Sequence, residues 1–176
     1  MKRQILFFAI FVTLSFSFMA CDKNETTNSN DGGVELFLLD SYKTIGITNQ
    51  IDEKTIVTKS LPLVAYADFQ SYDPSTFTFK VSNTAKESIK SLKHSVNGIA
   101  FALKANNDLI YSGYFWPGYS SATCSWVVID PTRLSLDNEL NVRLGYPGLI
   151  EGQVIPDKRN DKRILDIFTS DNKLIK

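Results

Sequence analysis

Apolar residues follow three different patterns along this chain. From Ile5 to Phe18 they form a run broken only by Thr13, Ser15 and Ser17; from Asp22 to Gly33 no apolar side chain occurs; from Val34 onward they come in short runs and alternations. Only the third pattern is that of a packed domain. Val34-Glu-Leu-Phe-Leu-Leu39 reads as a short, largely buried strand. Residues 41–50 read as loop, and 51–59 fit either a short helix or a strand. Leu61-Pro-Leu-Val64 is extended ahead of its proline and enters a strand by Tyr66 or Phe69.

The middle of the chain is more explicit. Phe77, Phe79 and Val81 alternate with Thr78 and Lys80, which predicts a strand buried on one face. Thr84-Ala-Lys-Glu87 fits a capping box, in which the threonine hydroxyl accepts a first-turn N–H and the glutamate reaches back. Ala85, Ile89, Leu92 and Val96 then make one helical stripe, with Lys86, Lys90 and Lys93 on the wet side and Gly98 as the stop. Ile99–Leu103 and Leu109–Tyr114 flank Asn106-Asn107, a pair suited to the positive φ of a tight hairpin.

Trp116-Pro-Gly118 and Tyr146-Pro-Gly148 place Pro and Gly as a type II turn requires. Between them, Ala122–Ile129 and Glu139–Leu144 read as strands. Asn160 is a cap for a last helix whose Ile164, Leu165, Ile167 and Phe168 face inward. The expected class is α+β, a mainly antiparallel sheet with two helices packed on one face.

The first pattern is an address. Lys2 and Arg3 precede the apolar run, and Phe18-Met-Ala20 precedes Cys21. The run is too short to cross a bilayer, so it reads as a secretory signal peptide over residues 1–20. Its end resembles the lipobox of bacterial lipoproteins, although Phe18 and Met19 stand where that family prefers Leu and a small residue. The resemblance implies cleavage before Cys21, diacylation of its thiol and acylation of the new amine. Two or more acyl chains hold a protein stably on a membrane, because each buried methylene contributes about 0.8 kcal/mol. Asp22 resembles the inner-membrane retention signal of enteric lipoproteins. Residues 21–33 then form the lipidated cysteine and a flexible tether, with a typical reach of roughly 20 Å. Residues 34–176 form a single globular domain.

Without residues 1–20, the chain has 156 residues, enough to bury a core without disulfide or metal. Removing Lys2 and Arg3 from 19 basic residues, against 19 acidic ones, leaves a formal charge of −2. Nothing in that balance suits nucleic acid. A lipidated Cys21 cannot form a disulfide, so Cys124 is a free thiol in an oxidising compartment.

The run from Phe77 through Ala100-Phe-Ala-Leu103 and Leu109-Ile-Tyr-Ser-Gly113 resembles the strand–helix–hairpin of SecD-type periplasmic domains, over about forty residues. That implies kinship of fold for this unit.

Two groups of residues are candidates for chemistry. Cys124 would be a nucleophile if His94, the only histidine, acted on it. Against that, Cys124 shares strand parity with Ala122, Trp126 and Val128, a buried face, and His94 lies off the helical stripe and is expected to be exposed. An inert core thiol is the simpler reading. The aromatic cluster of Tyr111, Tyr114, Phe115, Trp116, Tyr119 and Trp126 offers flat faces beside a turn. Trp126 and Tyr114 are expected in the core, and Trp116 with Tyr119 as a binding surface.

Asp73-Pro74 and Asp130-Pro131 read as turn residues, and Asp157–Arg163 as a solvated helix start rather than an anion site. The sequence contains no phosphate loop, metal-spaced Cys/His set or serine elbow. No cofactor and no metal are expected. The expected function is a non-enzymatic binding or accessory module, lipid-anchored in the bacterial cell envelope and facing the periplasm or the surface, with a protein or glycan partner. A surface glycan-binding module using the Trp116/Tyr119 turn stands second, and an enzyme using Cys124 third.

Overall fold

The computed structural model describes residues 32–46 and 48–176. The expected signal peptide, Cys21 and tether residues 22–31 lie outside the described residues. Gly33, counted with the tether above, is already part of the fold: it is buried and its carbonyl accepts the Asn106 N–H at 3.0 Å.

The fold is α+β. Eight strands, β1 (Val34–Ser41), β2 (Val57–Thr58), β3 (Phe69–Asp73), β4 (Thr78–Val81), β5 (Ile99–Ala105), β6 (Asp108–Phe115), β7 (Cys124–Ile129) and β8 (Glu139–Tyr146), form one sheet in the order β2-β1-β5-β6-β7-β8-β4-β3. Every neighbouring pair is antiparallel except β6 and β7. The ambiguous stretch 51–59 holds a single 3-10 turn, Glu53–Thr55, and then β2. The β5–β6 hairpin turns through Asn106 and Asn107 at φ 52° and 69°, as the pair of asparagines predicts.

One face of the sheet carries the main core. Phe101 pairs with Gly113 and Ile99 with Phe115, and Phe79 pairs with Leu140 and Tyr72. Helix α3 (Lys162–Ser170) lays Phe168 among Phe69, Tyr72 and Phe79, with ring centroids 5.7 to 6.2 Å apart. Helix α1 (Asn83–Lys90) sends Ala85 and Ile89 into the same cluster. A third helix, α2 (Leu134–Asp137), is one turn long.

Both long helices begin away from their expected caps. For α1 the cap is Ser82, not Thr84: its hydroxyl accepts the Ala85 N–H at 3.1 Å and donates to Asp68 at 2.5 Å. A tertiary partner for Ser82 outweighs the local Thr-x-x-Glu signal. The helix also ends at Lys90, before Leu92 and Val96. His94 Nε2 lies 3.0 Å from the Ile89 carbonyl, which takes up one of the helix's terminal acceptors. Val96 is consequently exposed, and Gly98 serves the entry to β5 rather than the helix end. For α3 the cap is Asp161, whose side chain accepts the Arg163 N–H. Asn160 is occupied elsewhere, accepting from the Tyr72 hydroxyl and donating to the Pro74 carbonyl.

The parallel junction between β6 and β7 is short, with only Tyr114↔Val128 and Phe115↔Ile129 in register. Beyond it, the Glu53 carboxylate takes the place of a strand partner. It accepts the Ser112 N–H at 2.9 Å and the Ser112 hydroxyl at 3.3 Å, while its other oxygen accepts from Lys158 at 2.9 Å. The Trp126 indole N–H donates to the same Ser112 hydroxyl at 3.1 Å. A buried backbone donor is thereby satisfied by a side chain that comes from outside the sheet.

Candidate functional site

The expected aromatic surface divides in two. Tyr119 is 64% exposed, but Trp116 is only 1% exposed and cannot offer a face to any ligand. Its N–H pairs with the Ile129 carbonyl at 2.8 Å, and its indole N–H turns back to the Ala122 carbonyl at 3.3 Å. The ring packs edge-on to Tyr114 at 6.0 Å. Space for it comes from Gly98, where a Cβ would lie 2.7 Å from the indole. Trp116 is therefore the internal filler of the segment that leads from β6 to β7.

The turns beside it are not type II, because neither Gly118 nor Gly148 has a positive φ. Gly118 is required for close approach instead. Its N–H donates to Asp130 Oδ1 at 3.0 Å, and a Cβ there would lie 2.6 Å from the other carboxylate oxygen. The Tyr146–Pro147 peptide is cis. The Tyr146 hydroxyl donates to the Gly118 carbonyl at 2.7 Å, so the two Pro-Gly loops join at one place on the surface.

Cys124 is fully buried and free, as the inert-thiol reading expects. Burial pushes its thiol up to about 11, with only a partial offset from the Trp126 N–H. His94 is half-buried, not exposed: its ring meets the edge of Phe115 at 6.4 Å, and Nδ1 is enclosed without a hydrogen-bond partner among the described residues. Because a carbonyl only accepts, the proton sits on Nε2, facing Ile89. Neither ring nitrogen of His94 is hydrogen-bonded to the Cys124 thiol: Nε2 faces Ile89, Nδ1 has no partner among the described residues, and the ring packs on Phe115.

The carboxylates beside prolines are turn residues. Asp73 Oδ1 accepts from the Ser75 hydroxyl and amide at 2.6 and 2.8 Å, which holds its carboxyl below the usual range. Asp130 Oδ1 accepts from Thr132 in the same way. In the stretch 157–163, Arg159 and Arg163 pair with Asp157 and Asp161, lowering both carboxyls, and Arg159 also lies 3.5 Å over the Phe77 ring. No described group of three or more His, Cys, Asp or Glu residues is arranged to hold a metal.

Sequence reasoning missed two polar depressions. On the face of β4 and β8 opposite Phe79 and Leu140, these strands and the short α2 form a trough of about 260 Å³ lined by Thr78, Asp130, Arg133, Asp137, Glu139, Asn141 and Arg143. A second depression of about 350 Å³ shares Thr78 and Glu139 and continues over Ser71, Asp73 and Lys80. Arg133 and Arg143 form no ion pair within the described residues, although three carboxylates line the same trough; Arg143 lies 5.8 Å over the Tyr146 ring. Six of the seven contributors lie between Asp130 and Arg143, and Glu139, Asn141 and Arg143 alternate along β8, but Thr78 joins them only through the pairing of β4 with β8.

No protein-family model, curated protein or solved structure matches this chain. Geometry is the remaining guide. Gly33 enters the fold at the Asn106 hairpin, where Val34 pairs with Ala105. Asp130 follows Ile129, which pairs with Phe115 at the other end of the same strands. The seven residues of β5 separate the two ends by about 20 Å. Asp130, Arg133, Asp137 and Tyr119 thus gather at the end remote from the chain's entry. Among the described residues, no helix is long and apolar enough to cross a membrane.

Proposed function

We propose that this chain is a lipid-anchored protein of the bacterial cell envelope that binds a ligand rather than transforming one. The observation that carries this reading is the N-terminal order: Lys2-Arg3, the Ile5–Phe18 apolar run, then Ala20-Cys21. A tether joined at Gly33 attaches the domain at its Asn106 end, opposite the end that bears the groove. Binding is favoured over thiol catalysis by the burial of Cys124 and by the lack of a hydrogen bond between its thiol and His94 among the described residues. A glycan-binding module is the second reading, favoured by the exposed Tyr119 ring and by the polar trough. Trp116 has no part in it.

Cell fractionation tests the anchor. The wild-type protein should sediment with membranes and be released by detergent but not by high salt, and Cys21→Ser should move it out of that detergent-released pool. A wild-type protein that is soluble without detergent would end the lipid-anchor reading.

A further inference from the structure

We infer that the trough over β4 and β8 binds an acidic carbohydrate, with Arg133 and Arg143 receiving the carboxylate of a uronic-acid unit. The inference rests on the binding-module reading and assigns its ligand class. Of the four described arginines, Arg159 and Arg163 are held by Asp157 and Asp161. The other two line one trough and keep clear of its carboxylates, leaving two planar forks of donors for an incoming anion. Asp130 already spends Oδ1 on Gly118 and Thr132, so it competes weakly for them.

The rest of the lining suits sugar hydroxyls: Asp137 and Glu139 can accept hydrogen bonds from them, as can Thr78. The site is a sheet face rather than a strand edge, and it lacks the apolar pockets by which grooves read peptide side chains. The continuation past Thr78 and Glu139 toward Lys80 gives length for more than one sugar unit. Tyr146, with its ring 5.8 Å beneath the Arg143 guanidinium, helps to hold that fork in place.

The test is calorimetric titration of the detergent-solubilised, full-length mature protein with tetrasaccharides of galacturonic, glucuronic and mannuronic acid, each also in carboxyl-reduced form. At least one acidic form should bind, its reduced form at least tenfold more weakly. Arg133→Gln and Arg143→Gln should each weaken binding tenfold or more without moving the melting temperature. Equal binding of acidic and reduced forms, or undiminished binding by both variants, would overturn the assignment while leaving a glycan-binding module in place. Absence of binding to every acidic form would overturn the ligand class, and membrane fractionation would still judge the anchor separately.

Discussion

Trp116→Ala should lower the melting temperature by on the order of 10 °C. Removing a fully buried aromatic ring costs roughly 3–5 kcal/mol, because the lost transfer energy is joined by that of the cavity. For a domain of this size each kcal/mol moves the midpoint by about 3 °C. The site cannot collapse easily: Trp116 is fixed at its backbone to Ile129 and at its indole to Ala122, and Gly98 beneath it has no side chain to fill the space. Tyr119→Ala, three residues along, should change the midpoint by less than about 2 °C, because a largely exposed ring contributes little packing. Thermal melts of the two variants check this directly. Equal, small shifts would place Trp116 at the surface and contradict the packing described.

Cys124 should alkylate about a hundredfold or more slowly in the folded protein than after denaturation. Iodoacetamide reacts with the thiolate, and raising the thiol from an ordinary 9.0 to about 11 lowers the thiolate fraction at neutral pH by two orders of magnitude. Burial slows access further. The same shift has a sign in stability. The unfolded thiol ionises near pH 9 while the folded one keeps its proton to about pH 11, so this contribution is intact below pH 9 and is lost between the two values. Labelling rates measured from pH 7 to 11 give the midpoint. Rapid labelling with a midpoint below 8 would restore the thiol as a nucleophile and reopen the enzyme reading.

Much of the architecture was legible because its signals are local. Alternation at Phe79 and Val81, the Asn106-Asn107 turn and the Ile164/Phe168 stripe each report their element within a few residues. What failed was overruled from a distance. Strand parity could not sort β7 into faces, because all six of its residues are buried. Ala122, assigned to that strand's inner parity, lies outside it and is exposed. The cap of α1 moved to Ser82 because Asp68 receives its hydroxyl, and Trp116-Pro-Gly118 left type II geometry because Asp130 claims the Gly118 N–H. The trough was out of reach as a whole, although Glu139, Asn141 and Arg143 alternate along β8. Its two arginines differ by ten positions, and Thr78 meets them only through the pairing of β4 with β8.

Intact-mass measurement of the protein extracted from its native membrane decides whether the chain is anchored at Cys21. The mature chain should begin at Cys21 and carry a diacylglyceryl group on its thiol, heterogeneous by acyl-chain length, and this mass should be absent from Cys21→Ser. An unmodified Cys21 in the wild-type protein, or a chain that begins at another residue without lipid, would contradict the anchor.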